Sequence, residues 1–442
     1  MLQHIVIIGN GIAGITCARN IRKQSNNNIT VISSETEHFY SRTALMYIYM
    51  GHMKYEHTKP YEDWFWGKNR IELVKDHVTS IDIKEKRLMM QHGSPIKYDK
   101  LVIATGSVSN KPSFPGIDLK GVQSLYGMPD LLLMHENTKG IQTAVMIGGG
   151  LIGIEMAEML LSRNIHVTFL IRENAYWDNV LPPQEAEMIS RHIKEHHVDL
   201  RIATELKEIK TDGNGKVKSV VTNKEEEIPC EFTGITVGVS PNIFLFKNTE
   251  IETSKGVLVN EFFETNIPYI YAIGDCVQHR NPPEGRKAVE QVWYTGKIHG
   301  ETLALTLCGK KTAYHPGPFF NSAKFFDIEY QTYGIVNAQP AENESSFYWE
   351  HNNGRICLRI VYNKEDETII GFNALGMRLR HIVCDQWIRE KRKIDDIMTH
   401  LEQMNFDPEF FEKHEKNIIS SYNQKYQKNI GLKRKKLFSL FK

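Results

Sequence analysis

The chain has 442 residues, enough for two to four domains that each bury a core. Its 54 Lys and Arg stand against 53 Asp and Glu, and so neutral a field argues against a dedicated nucleic-acid binder. Cys17, Cys230, Cys276, Cys308, Cys357 and Cys384 form no CxxC and no zinc-like pairing, so no metal is expected and reduced cytoplasmic thiols are.

The opening MLQHIVIIGNG lacks the basic n-region of an export signal, and no stretch approaches the ~20 apolar residues of a membrane span. The expectation is a cytoplasmic protein, at most peripheral on the inner membrane surface. His4–Ile8 reads as a buried parallel strand. GNGIAG follows it, with Gly9, Gly11 and Gly14 in the GxGxxG spacing and Ile12 and Ala13 between them, and then the helix-like ITCARNI. Such glycines supply a tight turn, an approach of backbone to a pyrophosphate, and close helix–strand packing. The diphosphate then sits on the positive end of the helix. The next strand, residues 29–33, leads to Glu35, near the ~20-residue offset of the acid that holds ribose hydroxyls. Further on, Trp64, Phe65 and Trp66 read as packing rather than a substrate box.

The pattern returns at 143–173. TAVMIG is a strand, GGGLIG places Gly148, Gly150, Leu151, Ile152 and Gly153, IEMAEMLLSRN is a helix, and HVTFLI closes the unit. Two units in one chain are a stronger signal than either alone. Two facing dinucleotides are what hydride transfer between flavin and nicotinamide requires. At the end of the second strand Arg172 favours a 2′-phosphate and Glu173 favours a free ribose, so NADH and NADPH both stay open. Residues 316–412 alternate strand-like runs with a charged helix near 378–402. The final stretch 425–442 carries seven positive charges and no acid. It reads as a solvated end or, through 433–442, as a weak membrane-surface contact: Leu437, Phe438, Leu440 and Phe441 accompany Lys433, Arg434, Lys435 and Lys436.

With both fingerprints placed, the chain resembles the FAD-dependent pyridine-nucleotide oxidoreductases with two dinucleotide-binding domains, among them ferredoxin, rubredoxin and nitrite reductases, NADH oxidases and apoptosis-inducing factor. YDKLVIATGS (98–107) resembles the family's ATG element, which implies Thr105 and Gly106 as cofactor contacts. FTGITVGVSPN (232–242) is similar to the strand closing the NAD domain, with Gly238. TNIPYIYAIGDC (265–276) resembles the second FAD element, whose Gly274 and Asp275 would hold the ribityl chain. FFNSAKFFDIEYQTYG (319–334) resembles the start of the C-terminal domain. The resemblance covers roughly residues 1–412. It implies an α/β protein with two Rossmann-like domains and a C-terminal α+β domain. The FAD domain would take residues 1–112 and 252–315, the NAD(P) domain 113–251, the C-terminal interface domain 316–412 and a basic tail 413–442. In the relatives the third domain covers the flavin and often builds a dimer or a partner-docking face.

The departures from the family are informative. HFYSRTALMYIYMGH (38–52) has no cysteine where disulfide reductases carry CxxxxC, and Arg42 stands about where that thiol would be. YSRTAL is closer to the YxR element of the ferredoxin, rubredoxin and nitrite reductases. Their glutamate is present as Glu155, expected in the first turn of the second glycine-loop helix facing the nicotinamide, but Tyr47 stands where its lysine would. In RKAVEQVWYTGKIHG (286–300), Glu290, Gln291 and Trp293 would border the isoalloxazine ring, where a helix begins beneath it. The resemblance implies an enzyme that passes a hydride from NAD(P)H to FAD and on to an external acceptor, a small redox protein, with Glu155, Arg42 and Glu290 as catalytic residues. The alternatives are a peripheral NAD(P)H:quinone reductase and a slow redox-sensing binding protein like apoptosis-inducing factor.

Overall fold

The computed structural model describes residues 2–406, 409 and 412–433. The chain divides into two compact units, Met1–Arg172 with Ala203–Pro316 and Glu173–Ile202 with Gly317–Lys442.

The first unit holds two parallel sheets. In the first, Ile270–Ala272, Lys100–Ile103, His4–Ile8, Asn28–Ser33 and Ile71–Lys75 lie side by side in that order. Central strands covered on both faces read as continuous apolar runs, and Ile5, Val6, Ile7, Leu101, Val102 and Ile103 are all buried. The glycine-loop helix Ile12–Gln24 follows His4–Ile8 and sets Ala13, Ile15, Cys17, Ala18 and Ile21 into the core. The helix Trp293–Leu307 packs on it where two glycines let the backbones meet. A Cβ at Gly300 would stand 2.5 Å from Ala13 O and 2.9 Å from Cys17 N.

The second sheet repeats the plan, running from His166–Leu170 through Thr143–Ile147 and Phe232–Ile235 to Val122–Gln123, all parallel. Between the two sheets, Ser107–Ser109 and Val239–Pro241 pair antiparallel. This places the ATG element and the loop holding Gly238 beside each other.

In the second unit Phe320–Phe325, Ile328–Gly334, Ile369–Leu375, Cys357–Asn363 and Glu344–Glu350 form an antiparallel sheet in that order. The helix Pro183–Glu195 belongs to this unit. Its buried Glu185 accepts from both Arg359 Nε (2.6 Å) and Nη2 (2.7 Å). A buried charge persists only when so paired.

Two expectations for this end of the chain are corrected. The single helix near 378–402 is two, His381–Arg389 and Ile394–Thr399, separated by Lys391 at φ +51°. Residues assigned to the basic tail at 413–433 are not a solvated end: Glu415–Tyr426 is a helix that buries Ile418, Ile419 and Tyr422. The apolar spacing of those three residues gives the helix a face to bury, and Lys428 with Tyr422 then secures it to Asp395. Residues 434–442, and with them most of the proposed membrane contact, lie outside the described residues. Among the described residues no helix is long and apolar enough to cross a membrane.

The helix crossing yields a test. Gly300→Ala drives a methyl into backbone that cannot move aside, and overpacking of this kind costs about 1–3 kcal/mol. Gly296→Ala meets the Ile12 side chain at 3.2 Å, which has room to give. Denaturant unfolding is expected to show a clear loss for the first variant and a smaller one for the second.

Candidate functional site

The two glycine loops have the same construction. Gly9 N–H donates to Ile32 O and Gly148 N–H to Leu170 O, closing each loop onto the neighbouring strand. Gly9 (φ +115°) and Gly148 (φ +104°) occupy the left-handed region, and a Cβ there would meet Ala104 O at 2.0 Å or Thr236 O at 2.7 Å. The middle glycines differ. A Cβ on Gly11 would meet nothing within 4 Å, and one on Gly150 only Thr236 O at 3.9 Å. The protein's own packing does not require glycine there, whereas a diphosphate lying against the backbone does. Gly11 and Gly150 are also the N-caps of their helices. Neither helix has an acid in its first turn, so the leading amides around Ile12–Ala13 and Leu151–Ile152 are left for an anion.

Next to the first loop, Gly274 and Asp275 open a short turn, with Gly274 (φ +78°) close to Ala13. Asp275 accepts from Ser107 Oγ at 3.2 Å, and Ser107 Oγ accepts in turn from Gln291 Nε2 at 2.6 Å. Tyr126 OH accepts from Ser107 N–H at 2.9 Å. Burial lifts the Asp275 carboxyl to about 6, against the Ser107 hydrogen bond and the Arg42 charge, which both pull it down. A carboxylate so poor in donors suits a polyhydroxyl chain, so these residues fit FAD. His299, buried and held neutral, accepts from Gly274 N–H at 3.1 Å and braces the turn from behind. Thr105 donates to Asn242 O (2.7 Å), and Asn242 N–H donates to Gly106 O (2.9 Å). Asn110 N–H holds Gly238 O at 3.0 Å.

Glu35 and Arg42 are a pair. Arg42 Nη2 donates to Glu35 Oε2 at 2.7 Å and Nη1 to Tyr126 O at 2.7 Å. Glu35 Oε1 also accepts from the Tyr40 hydroxyl and from Met128 N–H. Burial raises the Glu35 carboxyl, but Arg42 and the two further donors outweigh it, and the net displacement is downward. The pair ties segment 35–42 to 126–128, and Arg42 stacks on Tyr126 with 4.5 Å to the ring centroid.

One placement from the sequence, that of Glu155, is corrected by where its helix starts. The helix after the GD element begins at Trp293, so Glu290 and Gln291 lie ahead of it. Glu290 is enclosed, accepting from Arg286 (Nε at 2.7 Å), Thr295 (3.0 Å) and Lys287 N–H (3.1 Å). The ion pair anchors the loop, and Trp293 is exposed at the helix start. Glu155 is the fifth residue of Leu151–Leu161, in the second turn, because the helix starts at Leu151 after its glycine cap. It is half-buried. The short helix Leu45–Tyr49, which carries Tyr47, packs on that helix. Arg172 and Glu173 follow the second strand, and each has interactions of its own in the fold.

Ser107, Tyr126, Arg286 and His299 were not singled out from the sequence. Ser107 closes the ATGS element and Arg286 precedes Glu290 by four residues, so both had a local signal. Tyr126 and His299 had none, since each meets its partner only after a long return of the chain.

The family model for pyridine nucleotide-disulphide oxidoreductases matches residues 3–292. The chain is 27% identical over 319 residues to the nitrite reductase [NAD(P)H] of Bacillus subtilis, covering 71% of this chain and 38% of that protein. It is 29% identical over 395 residues to the NADH-rubredoxin oxidoreductase of Clostridium acetobutylicum, covering 86% of this chain and 94% of that one. Its fold matches a NAD-dependent persulfide reductase from A. fulgidus with TM-score 0.84 at 23% identity, over 98% of this chain and 86% of the other. With the doubled glycine loop and the GD turn in place, the chain belongs to the pyridine nucleotide-disulphide oxidoreductase family.

Proposed function

We propose that this protein is an FAD-dependent NAD(P)H oxidoreductase that delivers electrons to a small redox protein, without a disulfide relay. The observation that carries the reading is a pair of diphosphate-cradling loops in one compact unit, the first beside the Asp275 carboxylate. FAD held by these residues would supply the hydride-accepting and electron-donating chemistry between NAD(P)H and the acceptor. In this reading residues 1–112 with 252–315 hold FAD, 113–251 hold NAD(P), and 316–412 contribute the face that meets the partner.

Asp275 accepts ribityl hydroxyls, with Ser107 and Gln291 setting its orientation. Glu35 and Arg42 border the adenosine end. Glu155, from the second turn of its helix, orients the nicotinamide, and Tyr47 takes the place of the relatives' lysine. The Arg286–Glu290 pair positions Gln291 and Trp293 rather than reacting. Support for direct electron exit comes from the thiols: burial pushes all six above the ordinary cysteine value, leaving none activated as a thiolate. The similarity to a rubredoxin-reducing relative over most of both chains supports the acceptor class. Stopped-flow oxidation of the reduced enzyme by rubredoxin, ferredoxin, quinone and oxygen in turn tests it, and a quinone or oxygen rate above both proteins would overturn it.

Asp275 gives the cofactor site a pH signature. An acid whose folded pKa is raised favours its neutral form in the fold, so its contribution to apoprotein stability is present below the unfolded value and lost as pH rises through about 6. Asp275→Asn is therefore expected to stabilise the apoprotein at pH 7.5. FAD needs the ionised acceptor, so its affinity should fall by up to about tenfold per pH unit below 6. The variant should bind FAD about 10–100-fold more weakly at pH 7.5, the loss of one charge-assisted hydrogen bond, and lack the slope. Thermal unfolding of the apoprotein and fluorescence titration with FAD check the two signs separately.

Glu155→Ala is expected to slow flavin reduction by NAD(P)H about tenfold or more, because near-attack geometry is steep in distance. FAD content should not change. Unaltered reduction in stopped flow would remove Glu155 from the site.

A further inference from the structure

We propose that His192, His196 and Asp327 form a binding site for a divalent transition-metal ion of the zinc type, in the second unit. The three offer one ligand atom each, and these atoms lie within 4.8 Å of one another. His192 and His196 are one helical turn apart at the C-terminal end of Pro183–Glu195, with His196 as the C-cap. Asp327 sits 135 residues away from His192 in the tight turn between Phe320–Phe325 and Ile328–Gly334. Both imidazole Nε2 atoms face the same carboxylate oxygen, Oδ1, at 2.5 Å from His192 and 3.6 Å from His196.

The surroundings orient each ligand as metal sites do. His196 Nδ1 lies 3.0 Å from His192 O, and donating to that carbonyl leaves its Nε2 lone pair for a metal. His192 is buried, and its Nδ1 has no hydrogen-bond partner, although Glu195 Oε2 stands 3.6 Å away. Arg355 stands 3.6 Å from the second Asp327 oxygen and 3.0 Å from Glu195, which aims Oδ1 at the imidazoles. Phe326 stacks on the His196 ring at 4.2 Å and 5°, and reaches that position with φ +54°, unfavourable for so large a side chain. The outward carbonyls of a helix C-terminus add attraction for a cation.

Tetrahedral zinc with ligand bonds of about 2.0–2.2 Å separates donor atoms by about 3.3 Å. The His196–Asp327 distance already suits this, and the His192–Asp327 pair must open by less than an ångström. Asp327 is 59% exposed and stands at a turn, so it has that freedom. Water completes the shell. The ion would tie the helix to the hairpin, two segments of this unit whose ligands His192 and Asp327 lie 135 residues apart in the chain.

The test uses tag-free FAD-loaded protein, stripped with a chelator and titrated calorimetrically with zinc chloride, with His196→Gln and Asp327→Asn as variants at positions that are not fully buried. One equivalent is expected to bind saturably, and each variant should weaken it about tenfold or more. Cobalt absorption should report low-coordinate nitrogen and oxygen ligation in the wild type and fade in both variants. Zinc should raise the unfolding midpoint of the wild type only. Absence of saturable binding up to about 100 µM, or binding undiminished in both variants, would overturn the proposal. If the cluster is only a hydrogen-bonded clamp, the variants lose stability equally with and without zinc, and that result also overturns it.

Discussion

The architecture turns on the need to bring backbone amides within reach of a diphosphate. A side chain at Gly9 or Gly148 would run into the carbonyl of the adjacent strand loop, so the turn could not close. A side chain at Gly11 or Gly150 would stand instead over the helix N-terminus, where among the described residues nothing lies within 4 Å of the Gly11 Cβ and only Thr236 O, at 3.9 Å, of the Gly150 Cβ. The rest of the first unit holds these loops still. Continuous buried strands fix their start, and the glycine-mediated crossing of Trp293–Leu307 over Ile12–Gln24 brings the helix that follows the GD element against the first nucleotide loop.

Around that frame the charged groups sort into two kinds. Glu35 with Arg42, and Arg286 with Glu290, satisfy each other and position chain segments. Asp275 has Ser107 as its one donor among the described residues, and burial raises its carboxyl toward neutrality. Groups of the first kind organise the loops. A group of the second kind has hydrogen-bonding capacity left for a ligand, and the contrast distinguishes them better than charge or exposure does.

Every thiol of the chain lies where burial keeps it protonated. The cysteine-free segment 38–52 supplies Arg42 and a tyrosine-rich helix, and Arg42 pairs with Glu35.

What the sequence determined by itself was local. Apolar β-branched runs followed by spaced glycines specify strand, tight turn and helix within about thirty residues, and this holds at His4–Ile8 and again at Thr143–Ile147. The missing cysteine was equally plain. Local pattern misplaced Glu155 by a turn, because a helix start depends on which residue caps it, and left Glu415–Tyr426 as a tail, because its charges masked three apolar residues that only a distant sheet makes into a core face. The Asp275–Ser107–Gln291 chain, the Tyr126 hydroxyl and the meeting of His192 and His196 with Asp327 were decided by tertiary structure alone. Each joins residues from 19 to 184 positions apart, and at such separations only the folded path of the chain determines which side chains meet.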